Sequence, residues 1–235
     1  MATLILVPTE LELRRLNDAG GFPTDSARVE LVGFGPIAAA ARTMQLVGQL
    51  RPERCLLVGI AGAFATECTP VGTALTFRRV ASAGVGVGSG AKFQGPSRLG
   101  FPQWSGSGGS GRASASGGPG LEAADAIVEE LSLAAVGASP AELLLTTCAA
   151  SDGPELANQR RRDFPQAVAE DMEGFGVALA CALERIPLAI VRGISNAVGD
   201  RDTSGWRIAD ALEAARGLAL EALARSDWEG AQESA

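Results

Sequence analysis

Short apolar runs alternate with longer segments of helical spacing along most of the chain, and that alternation restricts it to an α/β layer architecture. Residues 4–7 read as a first strand ended by Pro8. Thr9 then precedes a helical stretch over 10–16, with Glu12 three residues on, the spacing of a capping box. Residues 29–33 form a second short strand, and Gly33-Phe34-Gly35-Pro36 turns into an Ala-rich helix over 37–50, Pro36 suiting the first helical position. The near-continuous apolar run 54–60 fits a strand covered on both faces. Gly59, Ala61, Gly62 and Ala63 are small enough to let backbone or a ligand come close at its end. Further strands are expected over 71–80, 141–147, 168–172 and 188–194. Helices are expected over 121–133, 154–162, 173–184 and 206–225, with a loop over 197–205.

One domain over 1–235 accounts for this pattern, with two departures. Between Gly84 and Pro119, 36 residues include 12 Gly, a composition that poorly offsets its own ordering entropy and predicts a mobile loop or lid. Leu99-Gly100-Phe101-Pro102-Gln103-Trp104 inside it is apolar enough to close over a ligand, dock on a partner subunit or simply cover core. The tail, 226–235, is expected to fray.

A net charge of −7 argues against a nucleic-acid partner, which needs a basic footprint. With no His and no Tyr, the imidazole base, His metal ligands and Ser-His-Asp nucleophiles are all excluded, and neither a metal nor a cofactor is expected. Chemistry is left to carboxylates, Arg, amides, hydroxyls, thiols and main chain. Cys55, Cys68, Cys148 and Cys181 form no C-x-x-C pair and are expected to be small buried hydrophobes. The absence of a basic leader and of a membrane-length apolar stretch predicts a soluble cytoplasmic protein with no membrane partner.

Polar residues at strand ends are the informative ones, because α/β sheets bind ligands there. Three groups stand out: Glu10 and Glu12 after the first strand, Asp171-Met172-Glu173-Gly174 at a strand-to-helix junction, and Arg192-Gly193-Ile194-Ser195-Asn196 closing the last strand. Each has a structural alternative, since carboxylates stabilise helix N-termini and Asn favours turns. Together with Val-Pro-Thr-Glu-Leu-Glu-Leu at 7–13, Gly-Phe-Gly-Pro-Ile-Ala-Ala-Ala at 33–40, Val-Gly-Ile-Ala-Gly-Ala at 58–63 and Arg-Arg-Asp-Phe-Pro-Gln-Ala at 161–167, they resemble the nucleoside phosphorylase and nucleosidase superfamily. Ser-Asn-Ala-Val-Gly-Asp-Arg-Asp at 195–202 with Trp206, and Leu-Gly-Phe-Pro-Gln-Trp at 99–104, are most similar to its futalosine hydrolase branch.

The resemblance implies a three-layer sandwich with a central twisted mixed sheet flanked by helices, and a homo-oligomer, a dimer being favoured. It implies hydrolysis of a purine nucleoside with Glu12 orienting and deprotonating water, Glu173 facing the ribose, Met172 packed on the sugar, and Arg192 ordering the water and the carboxylates. Where related adenine nucleosidases carry an Asp that protonates the base, this chain has Asn196, a neutral amide that offers a donor and an acceptor but no proton, which favours a 6-oxopurine. Ala61, Gly62, Ala150 and Trp206 are the remaining candidate contacts. The apolar Leu57-Val58-Gly59-Ile60-Ala61-Gly62 supplies no cation for phosphate, which favours water as the nucleophile. Relatives stack the purine on a Phe in the segment matching 147–152, where this chain has none; Trp206, Phe175, Phe101 or Trp104 are the substitutes. An adenine-releasing nucleosidase and a non-catalytic purine nucleoside-binding module stay open as alternatives.

Overall fold

The computed structural model describes residues 3–105, 129–226 and 228. Among them, eight strands form one mixed sheet: β1 (Thr3–Val7), β2 (Ala27–Leu31), β3 (Arg54–Ala63), β4 (Ala74–Ala83), β5 (Glu130–Ser132), β6 (Ala141–Thr147), β7 (Ala167–Asp171) and β8 (Leu188–Ala197). The helices are α1 (Glu10–Asp18), α2 (Pro36–Leu50), α3 (Pro96–Leu99), α4 (Pro154–Asp163), α5 (Gly174–Leu183) and α6 (Ile208–Ala224). None is long and apolar enough to cross a membrane.

The apolar runs become strands because both sheet faces are covered. Along β1, Leu4 and Leu6 enter the core shared with α2 and α5, while Ile5 and Val7 enter the core shared with α1 and α6. Along β3, Cys55 and Leu57 go one way and Leu56 and Val58 the other. This two-residue alternation between two cores makes the sandwich three layers deep.

β1 lies parallel to β2 and β3, β3 parallel to β8, β4 antiparallel to β8, and β6 parallel to β4 and β7. The far end of β7 then pairs antiparallel with Gly62 and Ala63, so the pairing curls back onto β3. That curl brings the C-terminal ends of β3, β7 and β8 together. α5 is held close to α2 at Gly176, where a Cβ would fall 2.2 Å from the Pro36 carbonyl oxygen. Only glycine permits that approach, which sets the start of α5 against the start of α2.

Several elements differ from the sequence expectation. Residues 121–128 of the expected helix 121–133 lie outside the described residues, and its end is β5, paired antiparallel with β4. The strand expected over 71–80 starts at Ala74, because Thr73 closes a turn onto the Pro70 carbonyl through both its N–H and its hydroxyl. β3 and β8 run past the expected ends at 60 and 194, pairing as far as Ala63 with Ala197. α6 begins after Trp206, which follows a 3-10 turn over Thr203–Gly205. Within 84–105, Val87 bridges Gln94 and α3 forms; residues 106–119 lie outside the description. Cys55 and Cys181 are buried, whereas Cys148, just past the end of β6, and Cys68 are exposed.

Candidate active site

The three strand ends line one cavity of about 230 Å³, to which Glu12, Ala61, Gly62, Ala150, Met172, Glu173, Asn196 and Trp206 all contribute. Arg192 does not reach its surface: the side chain is completely buried beneath it.

Glu12 stands on the first turn of α1. Thr9 caps that helix by accepting from the Glu12 N–H at 3.3 Å. A capping-box carboxylate would turn back to the cap's own N–H. Glu12 instead accepts from the Thr9 hydroxyl at 2.6 Å through Oε2 and from the Ile60 N–H at 3.0 Å through Oε1. Its carboxylate is therefore aimed inward, at the end of β3.

At the start of α5 two carboxylates divide their work. Asp171 Oδ2 accepts from the Gly174 N–H at 2.9 Å, and the Thr146 hydroxyl accepts from the Phe175 N–H at 2.8 Å, so the first two N–H groups of the helix are paired without the Glu173 carboxylate. Asp171 also pairs with Arg192, whose Nη2 lies 2.6 Å and Nε 3.0 Å from Oδ2. Glu173 is left free to face the cavity, steadied by the Gly35 N–H at 2.9 Å and by Arg192 Nη2 at 3.3 Å. Arg192 Nη1 is buried with no hydrogen-bond partner among the described residues. It and Glu12 Oε1 both crowd the space that a Cβ on Gly59 would occupy.

Burial pushes the Glu173 carboxyl up to about 7, against Arg192 and the Gly35 N–H, which favour its charged form; the neighbouring Asp171 and Glu12 add to the rise. Folded protein thus holds this proton where the unfolded chain, near 4.5, has released it. Between those two values the native state binds more protons, so stability falls as pH rises through the window, by up to about 3 kcal/mol for one group. Urea unfolding of wild type and Glu173→Gln at pH 5 and pH 8 checks this. The wild type is expected to lose more stability than the variant on going to pH 8; parallel losses would show that Glu173 ionises normally.

Asn196 depends on a bulge. Opposite β3, Ala61 pairs with Ile194 and Gly62 with Asn196, so Ser195 is the extra residue and strand alternation is broken there. Ser195 and Asn196 consequently both line the cavity. The Asn196 amide is oriented by the Ser195 hydroxyl, which donates to Oδ1 at 2.8 Å, and by the Ala197 and Asp200 carbonyls, which accept from Nδ2 at 2.8 and 3.4 Å.

Among the described residues, two aromatic rings line the cavity, Trp206 and Phe34. The Arg201 guanidinium stacks over the Trp206 ring at 5.0 Å. Phe175 is buried in the core, and Phe101 and Trp104 are exposed outside the cavity wall, so none of these three meets it. Sequence reasoning gave no role to Phe34, to Asp171 as the partner of Arg192, or to Glu170 and Arg160; Glu170 and Ser151 line the cavity and Arg160 hydrogen-bonds to both from behind.

The family model described as Phosphorylase superfamily matches residues 24–225. A futalosine hydrolase from Streptomyces coelicolor is 30% identical over 231 residues, covering 89% of this chain and 91% of its own. Among solved structures, a 5'-methylthioadenosine/S-adenosylhomocysteine nucleosidase from Colwellia psychrerythraea in complex with adenine aligns with a TM-score of 0.69 at 19% identity, over 95% of this chain and 94% of its own. The futalosine hydrolase of Helicobacter pylori aligns with the same TM-score at 13% identity, over 95% and 97%. These two structures share the fold, a mixed sheet flanked by helices.

Proposed function

The chain belongs to the phosphorylase superfamily, and on that premise we propose that it hydrolyses the N-glycosidic bond of a 6-oxopurine nucleoside, with futalosine as substrate and hypoxanthine as the released base. The observation that carries the reading is a cavity where two carboxylates, Glu12 and Glu173, adjoin a buried arginine and face a neutral amide, Asn196.

Cleaving such a bond builds positive charge on the sugar and negative charge on the base, and requires a base for the attacking water. Glu12 is the general base, its orientation set by Ile60 and Thr9. Arg192, buried beneath the cavity, pairs with Asp171 and Glu173 and keeps the carboxylates in place. Glu173 accepts from the ribose hydroxyls and, once ionised, favours the cationic ring; kcat/KM therefore rises with pH through the region near 7. Met172 packs on the sugar. Asn196 binds the purine but cannot protonate it, which suits hypoxanthine, a better leaving group than adenine, and disfavours the adenine-releasing alternative.

Water is preferred to phosphate as nucleophile. In the glycine turn the Gly33 N–H is taken by the Pro8 carbonyl and the Gly35 N–H by Glu173, and the buried Arg192 is taken by Asp171 and Glu173. Arg201, the one cation on the cavity wall among the described residues, lies over Trp206. The enzyme needs no cofactor and works in the cytoplasm, within a route to menaquinone, as a homodimer; exposed Phe34 and Ile37 at the start of α2 support a second copy there. Purified protein incubated with futalosine in phosphate-free buffer is expected to release hypoxanthine. Absence of release, or release only when phosphate is added, would overturn the reading.

A further inference from the structure

Glu170, Arg160 and Ser151 have no part in the mechanism above, yet Glu170 and Ser151 on the cavity wall are joined to Arg160 behind them in one hydrogen-bonded group. Glu170 Oε1 accepts from the Ser151 N–H at 2.7 Å, and Oε2 accepts from the Ser151 hydroxyl and from Arg160 Nη1, both at 2.8 Å. Arg160 Nη1 also donates to Ser151 Oγ at 2.8 Å, and Nη2 donates to the Ala149 carbonyl at 2.7 Å. The pair is shielded, with side-chain exposures of 14% for Arg160 and 5% for Glu170. A charged group enclosed this way holds geometry better than it adds stability, because desolvation offsets much of its attraction.

What is held is Ala150. Arg160 pins the carbonyl before it and Glu170 pins the N–H after it. Ala150 lines the cavity, and among the described residues neither its N–H nor its C=O has a hydrogen-bond partner. One donor and one acceptor are thus presented side by side on a segment clamped at both ends.

This matters for base choice. A 6-oxopurine shows an acceptor at O6 beside a donor at N1; a 6-aminopurine shows a donor at the 6-amino group beside an acceptor at N1. One peptide residue can read either edge, but in two registers that differ by about one atom's displacement. Read as 6-oxopurine, the N–H sits over position 6; read as 6-aminopurine, it sits over N1. The base accepted is therefore set by where the segment lies. We infer that the Arg160–Glu170 pair is a specificity-determining positioning device that fixes Ala150 in the register for a 6-oxopurine. The inference rests on the purine-nucleoside reading of the cavity.

The test compares wild type with Arg160→Met, Arg160→Lys and Glu170→Gln by calorimetric titration of hypoxanthine and adenine, alongside kcat and KM for futalosine. Arg160→Met is expected to weaken hypoxanthine about tenfold and adenine much less, so that the preference narrows. KM should rise while kcat stays within about threefold, as for lost ground-state positioning. Arg160→Lys should fall between, since one ammonium cannot hold Glu170 and the Ala149 carbonyl in a planar fork. Should Arg160→Met not fold, Glu170→Gln carries the same expectation. Equal weakening of both bases, or an unchanged preference in folded variants, overturns the inference. If wild type turns over futalosine and the preference survives in the variants, the inference fails alone. If wild type prefers hypoxanthine through Arg160 but leaves futalosine intact, the hydrolase reading fails alone.

Discussion

Glu12→Gln is expected to lower futalosine turnover by on the order of a hundred-fold or more, the loss typical of a removed general base. Glutamine keeps the size of the side chain and can keep its hydrogen bonds. Its carbonyl oxygen can still accept from the Ile60 N–H, and its amide can donate to the Thr9 hydroxyl in place of the bond the carboxylate accepts now. The cap of α1 uses the Glu12 main-chain N–H and is untouched. Folding and hypoxanthine affinity should therefore persist while the proton acceptor is gone. A second consequence separates a chemical defect from a structural one. Glu12 is among the charges that push Glu173 up, so its neutralisation should move the acid limb of kcat/KM to lower pH in whatever activity remains. Turnover equal to wild type would remove Glu12 from the mechanism, and retained purine binding without turnover in the wild type would instead support the non-catalytic module.

The layers were legible because strands buried on both faces leave continuous apolar runs; Leu4 to Val7 and Cys55 to Val58 show it plainly. β5 was not, since three residues carry no period, and its place beside β4 comes from pairing across distant chain. The bounds of β3 and β8 were short for a related reason: past Ile60 the run narrows to the small Ala61-Gly62-Ala63 and past Ile194 it turns polar, while the hydrogen-bonded pairing continues.

Within the site, the sequence placed Glu12, Glu173 and Asn196 at strand ends, and the fold carries all three to one cavity. Spacing alone could not say which of Asp171 and Glu173 would serve the helix terminus and which would face the cavity, because both suit either task; the family resemblance is what singled out Glu173. Nor could it show that Arg192 lies beneath the cavity instead of on its wall, or that Arg160 crosses from α4 to Glu170 on β7. Those are facts of side-chain packing across the sheet. The bulge at Ser195, which turns Asn196 to its place, leaves no mark in a strand that reads as regular.

One residue with no polar chemistry is expected to matter as much as the carboxylates. A Cβ on Gly59 would fall 2.1 Å from Arg192 Nη1, 2.7 Å from Glu12 Oε1 and 3.2 Å from Pro8 Cδ. Arg192 cannot yield by swinging to water, being fully buried and tied to Asp171 through two nitrogens. Gly59→Ala must then shift β3 or loosen the Arg192–Asp171 pair, and either route costs about 2–4 kcal/mol. For a chain this long that corresponds to a fall in Tm of roughly 5–15 °C. Turnover should drop on the order of a hundred-fold even at temperatures where the variant is folded, because Glu12 and Arg192 lose their common seat. Arg192→Met tests the cause: without Nη1 the tightest clash is gone and only Glu12 Oε1 at 2.7 Å and Pro8 Cδ at 3.2 Å remain, so the alanine should cost distinctly less in that background, a non-additivity read in a double-mutant cycle. Equal costs in both backgrounds would show that the glycine is required for some reason other than the arginine beneath it.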